Sequence, residues 1–290
     1  MKIDLHIHSS VSDGRLSPTE VVEFAHKNNL DVIALSDHDD ISGISEATEA
    51  SMKYGIKLIP ATELTCSSKN DIEKLPQNLA VHILGYNIDY QNENLIKRLA
   101  AHRIAREDKC KSVVKKISEF GYLPEYDSMK FRTKKRMRIA DVTEHLKLNF
   151  QENENRSACI RYLEGALFYE LRNSDFSICE AINLIHEFNG KAVWAHPYIS
   201  YTDYTTEYLD NDSLNILLDY LCELGIDGIE ADYMAFNSAQ KEYLSKLADE
   251  RNLIATIGSD FHGGEKRNIM ISEECRNIEE LREKIIYASN

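Results

Sequence analysis

The chain has no Cys-x-x-Cys pair, no apolar run approaching a membrane span, and too few basic residues to balance its acids. Its six cysteines (Cys66, Cys110, Cys159, Cys179, Cys222 and Cys275) are scattered, so a zinc ribbon or dithiol redox motif is absent. Reduced, mostly buried thiols are the expectation. The longest apolar runs, such as Leu79–Leu84 and Ala192–Ala195, fall far short of the ~20 residues that cross a bilayer. Residues 1–20 carry Asp4, His6, His8 and Asp13 rather than an apolar core, and a cytoplasmic location with no membrane partner is expected. The net charge of −14 argues against a protein that coats duplex DNA. There is no internal repeat and no low-complexity tract.

What is present is an ordinary globular composition, 43% apolar and 28% charged over 290 residues. At roughly 150 residues per domain this allows one large domain or two small ones. Short apolar runs recur at Ile3–Ile7, Val32–Leu35, Lys57–Ile59, Leu79–Leu84, Lys191–Ala195, Ile226–Ala231 and Leu253–Ile257. Each has strand length, and several are rich in Val and Ile. Helical stretches lie between most of them, and this alternation predicts parallel β/α units. Ser17-Pro18-Thr19-Glu20 and Ser177-Ile178-Cys179-Glu180 read as capping boxes, and Gly55, Gly121, Gly190 and Gly225 as helix ends.

The stretch from about Gln91 to Ser177 breaks the alternation and reads as helix almost throughout, with Leu95, Leu99, Val113, Val114, Ile117 and Phe120 close to one face. The expected organisation is an α/β barrel over residues 1–92 and 178–290, with a helical insertion over 93–177. The insertion carries most of the positive charge: Lys97–Arg138 holds 14 Lys or Arg against 5 Asp or Glu. Such a patch is either a solvated face or a local field for a polyanion.

The chemistry-bearing residues cluster at the ends of the expected strands. Of ten His, these are His6, His8, His38, His82, His196 and His262, and Asp13, Glu63 and Asp260 accompany them. In β/α barrels the C-terminal strand ends form the active-site rim. His6 and His8, spaced i, i+2, point to one side of a strand. Adjacent ligands on one face, repeated on different strands, would build a polynuclear metal site. The remaining His (His26, His102, His145 and His186) fall within helices and are expected to be surface or packing residues.

The strings Asp4-Leu5-His6-Ile7-His8-Ser9, Ser36-Asp37-His38-Asp39, Glu63, His82-Ile83-Leu84-Gly85-Tyr86, Ala195-His196-Pro197 and Gly258-Ser259-Asp260-Phe261-His262-Gly263 resemble the PHP (polymerase and histidinol phosphatase) family. The helical insertion is similar to that of its stand-alone phosphoesterases. The resemblance implies a distorted (β/α)7 barrel and three divalent ions. One would take His6, His8, Glu63 and Asp260; a second Glu63, His82 and His196; a third Asp13, His38 and His262. Within this set Glu63, Asp13, His38 and His196 are the expected catalytic residues. Imidazole with carboxylate suits Mn²⁺, Fe²⁺ or Zn²⁺ alike. Asp4, Asp37 and Asp39 either orient ligand rings or make ordinary strand-end hydrogen bonds.

The chemistry so implied is hydrolysis of a phosphate ester by a metal-bridging hydroxide, since a bound divalent ion lowers the pKa of water toward ~7. No Ser or Cys nucleophile is required, and Cys66 is expected to be structural. The implied substrates are a nucleotide 3′,5′-bisphosphate, a cyclic phosphate or a short 5′-phosphorylated RNA. Arg103, Arg106, Arg136 and Arg138 fall where the resembling branch contacts substrate phosphate, and Arg suits that task. Two departures concern substrate: Lys135-Arg136-Met137-Arg138 replaces the branch's Gly-Arg-Pro-His, and Ala235-Phe236-Asn237 stands where a Ser-His pair is usual. The other readings are a histidinol-phosphate phosphatase, a non-catalytic metal-binding regulatory module, and a proofreading subunit that would need a polymerase partner.

Overall fold

The computed structural model describes residues 1–68, 72, 75, 79–122, 139–166, 171, 174–200, 209–263 and 278–288. Strands β1 (Ile3–Ile7), β2 (Val32–Leu35) and β3 (Lys57–Ser67) are separated by helices α1 (Pro18–Lys27) and α2 (Ile44–Tyr54). Strand β4 (Ala80–Tyr86) is followed by α3 (Glu93–Lys115), a short 3₁₀ turn (Lys116–Phe120), α4 (Ile139–Asn149) and α5 (Glu154–Ala166). The chain returns through the two-residue β5 (Phe176–Ser177), α6 (Ile178–Glu187) and β6 (Lys191–Trp194). It then runs through α7 (Asn211–Glu223), β7 (Gly228–Tyr233), α8 (Ser238–Arg251), β8 (Ile254–Gly258) and α9 (Ile278–Leu281), which a π-turn extends to Ile286.

The sheet runs β1-β2-β3-β4-β6-β7-β8, with β5 appended to β3. A parallel bridge between Ile7 and Phe261 joins its two ends, so the expected distorted seven-stranded β/α barrel is what forms. One strand departs from the expected parallel pattern: β4 runs antiparallel to both β3 and β6. Only twelve residues separate Ser67 from Ala80, at the short limit for the crossover that parallel neighbours need. The reversal matters for the site. It sets the first residues of β4 against the last residues of β3, with Thr65 opposite His82.

Residues of β1, β2 and β8 are buried throughout, as expected for strands covered on both faces. Leu5, Ala34, Ile59, Leu84, Tyr86, Val193 and Ile257 share one cluster, which Leu281 and Ile285 join from the C-terminal helix. Inside it Tyr86 donates its hydroxyl to the Leu5 carbonyl at 2.9 Å. Each such Leu or Ile contributes about 1.5–3 kcal/mol on burial. Both predicted capping boxes form, on α1 and α6. Gly190 corrects one detail. The left-handed residue after α6 is Asn189, with φ 63°, whereas a Cβ at Gly190 would lie 2.8 Å from Ile185, so Gly190 is there for close packing.

Helix α3 joins two cores. Leu95 and Leu99 pack with the barrel helices, whereas Cys110, Val113, Val114 and Ile117 belong to a separate cluster with Val142, Leu146, Cys159 and Leu163 of α4 and α5. Five cysteines, all but Cys275, lie among the described residues, and each is a free thiol. Among those residues no helix is long and apolar enough to cross a membrane.

Candidate metal centre

Backbone pairing at the strand ends brings the predicted ligands together. The His8 N–H donates to the Phe261 carbonyl at 2.9 Å, which sets His6 and His8 beside Asp260 and His262. His38 and Glu63 face each other across another isolated bridge. The Asp39 N–H donates to Glu63 O at 3.0 Å and the Glu63 N–H to Asp37 O at 3.2 Å. His82 reaches the same rim because β4 is reversed, and His196 lies two residues past the end of β6. His196 and Asp260 both sit at positive φ, 32° and 54°, the kind of backbone strain found at functional sites.

Glu63 is the centre of the arrangement. Its Oε2 lies 3.2 Å from His6 Nε2, 3.1 Å from His8 Nε2 and 3.2 Å from His38 Nδ1. Its Oε1 lies 3.0 Å from both His82 Nδ1 and His196 Nε2. Asp260 Oδ1 closes one side, 3.1 Å from His8 Nε2 and 3.6 Å from His6 Nε2. Asp13 Oδ1 closes another, 3.0 Å from His262 Nε2 and 3.9 Å from His38 Nε2 and His8 Nδ1. Three overlapping donor groups result: His6, His8, Glu63 and Asp260; His8, Asp13, His38 and His262; and His38, Glu63 and His82.

Electrostatics show what such a cage requires. Lone pairs of imidazoles and carboxylates aimed at one another need shared positive charge between them, as protons or as cations. The cation-free protein supplies protons. Burial opposes charge on His8, but Asp260 and Glu63 outweigh it and carry the imidazole up to about 10. Burial likewise opposes charge on His6, yet Glu63 and Glu230 hold it well above the usual histidine range. His82 is raised mainly by Glu63, against its burial. His38 goes the other way: burial dominates and lowers it to about 3, so its imidazole is neutral. Burial acts to raise Glu63, Asp13 and Asp260, but the surrounding His hold all three carboxyls well below the usual range.

The residues fit divalent cations. Glu63 Oε2, His8 Nδ1 and His196 Nδ1 are buried and make no well-aligned hydrogen bond. The mixed nitrogen and oxygen donor set suits Mn²⁺, Fe²⁺ or Zn²⁺.

Nearby acids act mostly on the backbone. Asp4 accepts from the Ser259 N–H at 3.0 Å, the Ser259 hydroxyl at 2.5 Å and the His6 N–H at 3.2 Å. Asp37 gathers the N–H and hydroxyl groups of Ser9 and Ser12 at 2.6–3.2 Å. Asp39 accepts the Thr65 N–H at 2.8 Å. These contacts are strand-end hydrogen bonds. Glu230 does contact a candidate ligand ring: its Oε1 lies 3.0 Å from His6 Nδ1. Sequence reading passed over Glu230, although an acid inside the apolar run Ile226–Ala231 was a usable signal.

Arg103 and Arg106 lie on α3, where each meets an acid: Arg103 pairs with Asp40, and Arg106 donates to Asp175 at 2.7 Å. Burial opposes the charge on Arg106, but Asp175 keeps it firmly cationic. Arg136 and Arg138 lie outside the described residues. His26, His102, His145 and His186 are all on helices. Cys66 is fully buried, and burial pushes its thiol well up, consistent with a structural role. Phe236, at the position of the departed Ser-His pair, is buried against Tyr198 and Tyr233 with ring centroids 5.2 and 4.9 Å away.

A seven-stranded barrel with histidines and acids converging at its rim defines a metal-site hydrolase class, and comparison with known proteins agrees. The PHP domain pattern matches residues 4–286. A 5′-3′ exoribonuclease from Haemophilus influenzae is 30% identical over 261 residues, covering 90% of each chain. A phosphoribosyl 1,2-cyclic phosphate 1,2-diphosphodiesterase from Eggerthella lenta is 28% identical, covering 90% of this chain and 94% of its own. A 3′,5′-nucleoside bisphosphate phosphatase from Chromobacterium violaceum is 28% identical over 98% of both. Among solved structures, a candidate metal-dependent phosphoesterase from Bifidobacterium adolescentis superposes with a TM-score of 0.71 at 26% identity, covering 97% of this chain and 94% of that one. The chain belongs to the PHP domain family. It is a hydrolase of the phosphoester class within that family.

Proposed function

We propose that this protein hydrolyses a phosphate ester on a small nucleotide-type substrate: a nucleotide 3′,5′-bisphosphate, a cyclic phosphate or a short 5′-phosphorylated RNA. The observation that carries the reading is the convergence of five imidazoles on the two oxygens of Glu63, with Asp13 and Asp260 at its flanks. The names of the full-length relatives support the substrate class, since each acts on RNA, a phosphoribosyl cyclic phosphate or a nucleoside bisphosphate.

Three divalent ions are proposed, of Mn²⁺, Fe²⁺ or Zn²⁺ type. His6, His8, Glu63 and Asp260 would hold one, Glu63, His82 and His196 another, and Asp13, His38 and His262 the third. Bound there, they would lower the pKa of water toward ~7 and offset phosphoryl charge. The side chains do the rest. Glu63 spans two of the sites, and His38 enters as a neutral imidazole. Asp13, Glu63 and Asp260 are ionised, so each would offer a cation an anionic oxygen.

Residues 93–177 are proposed as a subdomain that draws the anionic substrate to the rim, with Arg103, Arg106, Arg136 and Arg138 as phosphate contacts. Arg103 is tied to Asp40, two residues after His38, so α3 lies alongside the loop that carries a ligand. Arg103→Ala is expected to raise KM by roughly tenfold, the value of one charge-assisted contact, with metal content unchanged. Arg138→Ala is expected to do the same. Arg106→Ala is expected to act mainly on stability, because it strands the buried Asp175 carboxylate. A loss of about 3 kcal/mol follows, read as a lower Tm.

The deciding experiment is a substrate panel with Mn²⁺-loaded protein that varies the 2′, 3′ and 5′ phosphates and includes cyclic esters, 5′-phosphorylated RNA and histidinol phosphate. Release of phosphate or mononucleotide from the nucleotide members is expected. No turnover of them, or a preference for histidinol phosphate, would overturn the substrate reading.

A further inference from the structure

Strand β7 supplies none of the residues read as ligands, yet two of its side chains reach them. Glu230 is fully buried. Its Oε1 lies 3.0 Å from His6 Nδ1, and its Oε2 accepts the His196 backbone N–H at 2.7 Å. Tyr233 donates its hydroxyl to Asp260 Oδ2 at 3.0 Å, and its ring lies edge-on to that of His196 with centroids 5.7 Å apart.

Residues 230 and 233 have opposite parity, so an unbroken strand would send them to opposite faces. The β7–β8 register slips between them: Glu230 pairs with Thr256, whereas Asp232 pairs with Ile257. The extra residue is a β-bulge, a device that re-aims side chains. Here it turns both Glu230 and Tyr233 toward the centre and leaves Asp232 paired with Lys241 of α8 at 2.6 Å. Gly258 on β8 makes the room, since a Cβ there would lie 2.3 Å from Glu230 Oε1. The two ligands with positive φ, His196 and Asp260, are the ones that β7 touches besides His6.

We propose that β7 braces the metal centre and that Glu230 is a positioning residue which fixes the tautomer of His6 and the backbone of His196. The proposal rests on His6 being a ligand. A carboxylate oxygen accepts hydrogen bonds, so His6 Nδ1 donates to Glu230 Oε1, which leaves Nε2 as the ring nitrogen that would present its lone pair to a bound cation beside Glu63, His8 and Asp260. The other carboxylate oxygen holds the His196 N–H, so both oxygens are used. A Gln at this position has one oxygen and one NH₂. With its oxygen on the His196 N–H, its NH₂ faces His6 Nδ1 and favours the Nε2–H tautomer, which aims a proton where a cation would sit.

The test uses the full chain and Zn²⁺, which is diamagnetic. In Glu230→Gln, Zn²⁺ affinity is expected to fall by about 10–100-fold, the usual effect of removing a ligand's outer partner. ¹⁵N-histidine correlation spectra should show His6 changing from Nδ1–H to Nε2–H. Tyr233→Phe keeps the ring and loses the hydroxyl, so it should weaken Zn²⁺ binding less and leave the His6 tautomer alone. A folded Glu230→Gln protein with wild-type Zn²⁺ affinity and His6 still Nδ1–H would overturn the proposal. So would Nε2–H at His6 in the Zn²⁺-loaded wild type, a result that needs no variant. His6→Ala separates the two readings. If it keeps full Zn²⁺, His6 is no ligand and both fail. If it loses Zn²⁺ while Glu230→Gln does not, only the brace fails.

Discussion

Glu63→Gln is expected to lower phosphoester hydrolysis on the order of 10³-fold, with bound metal reduced and the fold retained. The size follows from how many groups depend on this carboxylate. Both of its oxygens are in use, with His6, His8 and His38 around one and His82 and His196 around the other. Gln keeps the shape but removes the charge, and it places an NH₂ donor among ring nitrogens that must present lone pairs to a cation. A loss of about 4 kcal/mol in transition-state stabilisation corresponds to that factor. The strand itself should persist, because β3 is held along its length by β2 and β4 through backbone pairing. Turnover, metal content by elemental analysis and far-UV circular dichroism check the three parts separately. Full turnover with full metal content would remove Glu63 from the centre of the mechanism.

The candidate site was legible in the sequence because its proposed ligands follow local rules. His6 and His8 obey the two-residue period of a strand, and the other His and acids stand where apolar runs stop, which in a barrel is the rim. What was not legible depends on distant pairing. The run Lys57–Ile59 continues through Pro60 to Ser67, and pairing with β4 and β5 makes the part from Ala61 onward a strand. The reversal of β4 is likewise a property of its neighbours rather than of its residues. Glu230 and Tyr233 look outward and inward at random until the bulge against β8 is known. Arg103 and Arg106 read as two cations on one helix. Their partners, Asp40 and Asp175, lie 63 and 69 residues away in the chain, beyond any local rule.

Removing divalent metal with a chelator is expected to abolish hydrolysis, and adding it back to restore hydrolysis with an affinity that rises with pH. The sign comes from the protons that the metal-free protein holds. At pH 7 to 9 His8, raised to about 10, is protonated, and His6 is shifted in the same direction. A cation entering between them must displace those protons. His38 is already neutral, and Glu63, Asp13 and Asp260 are already ionised, so none of these releases a proton. Apparent affinity should therefore climb about tenfold per pH unit for each proton displaced, and His8 should cease to contribute above about 10, where it has lost its proton. Calorimetric titration in buffers of different ionisation enthalpy counts the protons directly. The same linkage governs stability. A histidine raised on folding stabilises fully below its unfolded value of about 6.5, and that contribution disappears as pH rises through about 10. The Tm of the metal-free protein should fall from pH 7 to 10, while the loaded protein, whose imidazoles are neutral ligands, should lose none of this contribution. The stabilisation conferred by metal should thus be larger at pH 9 than at pH 7. Metal affinity that is flat over this range, or full turnover by metal-free protein, would mean that the histidines around Glu63 do not exchange protons for cations and that the cage serves another purpose.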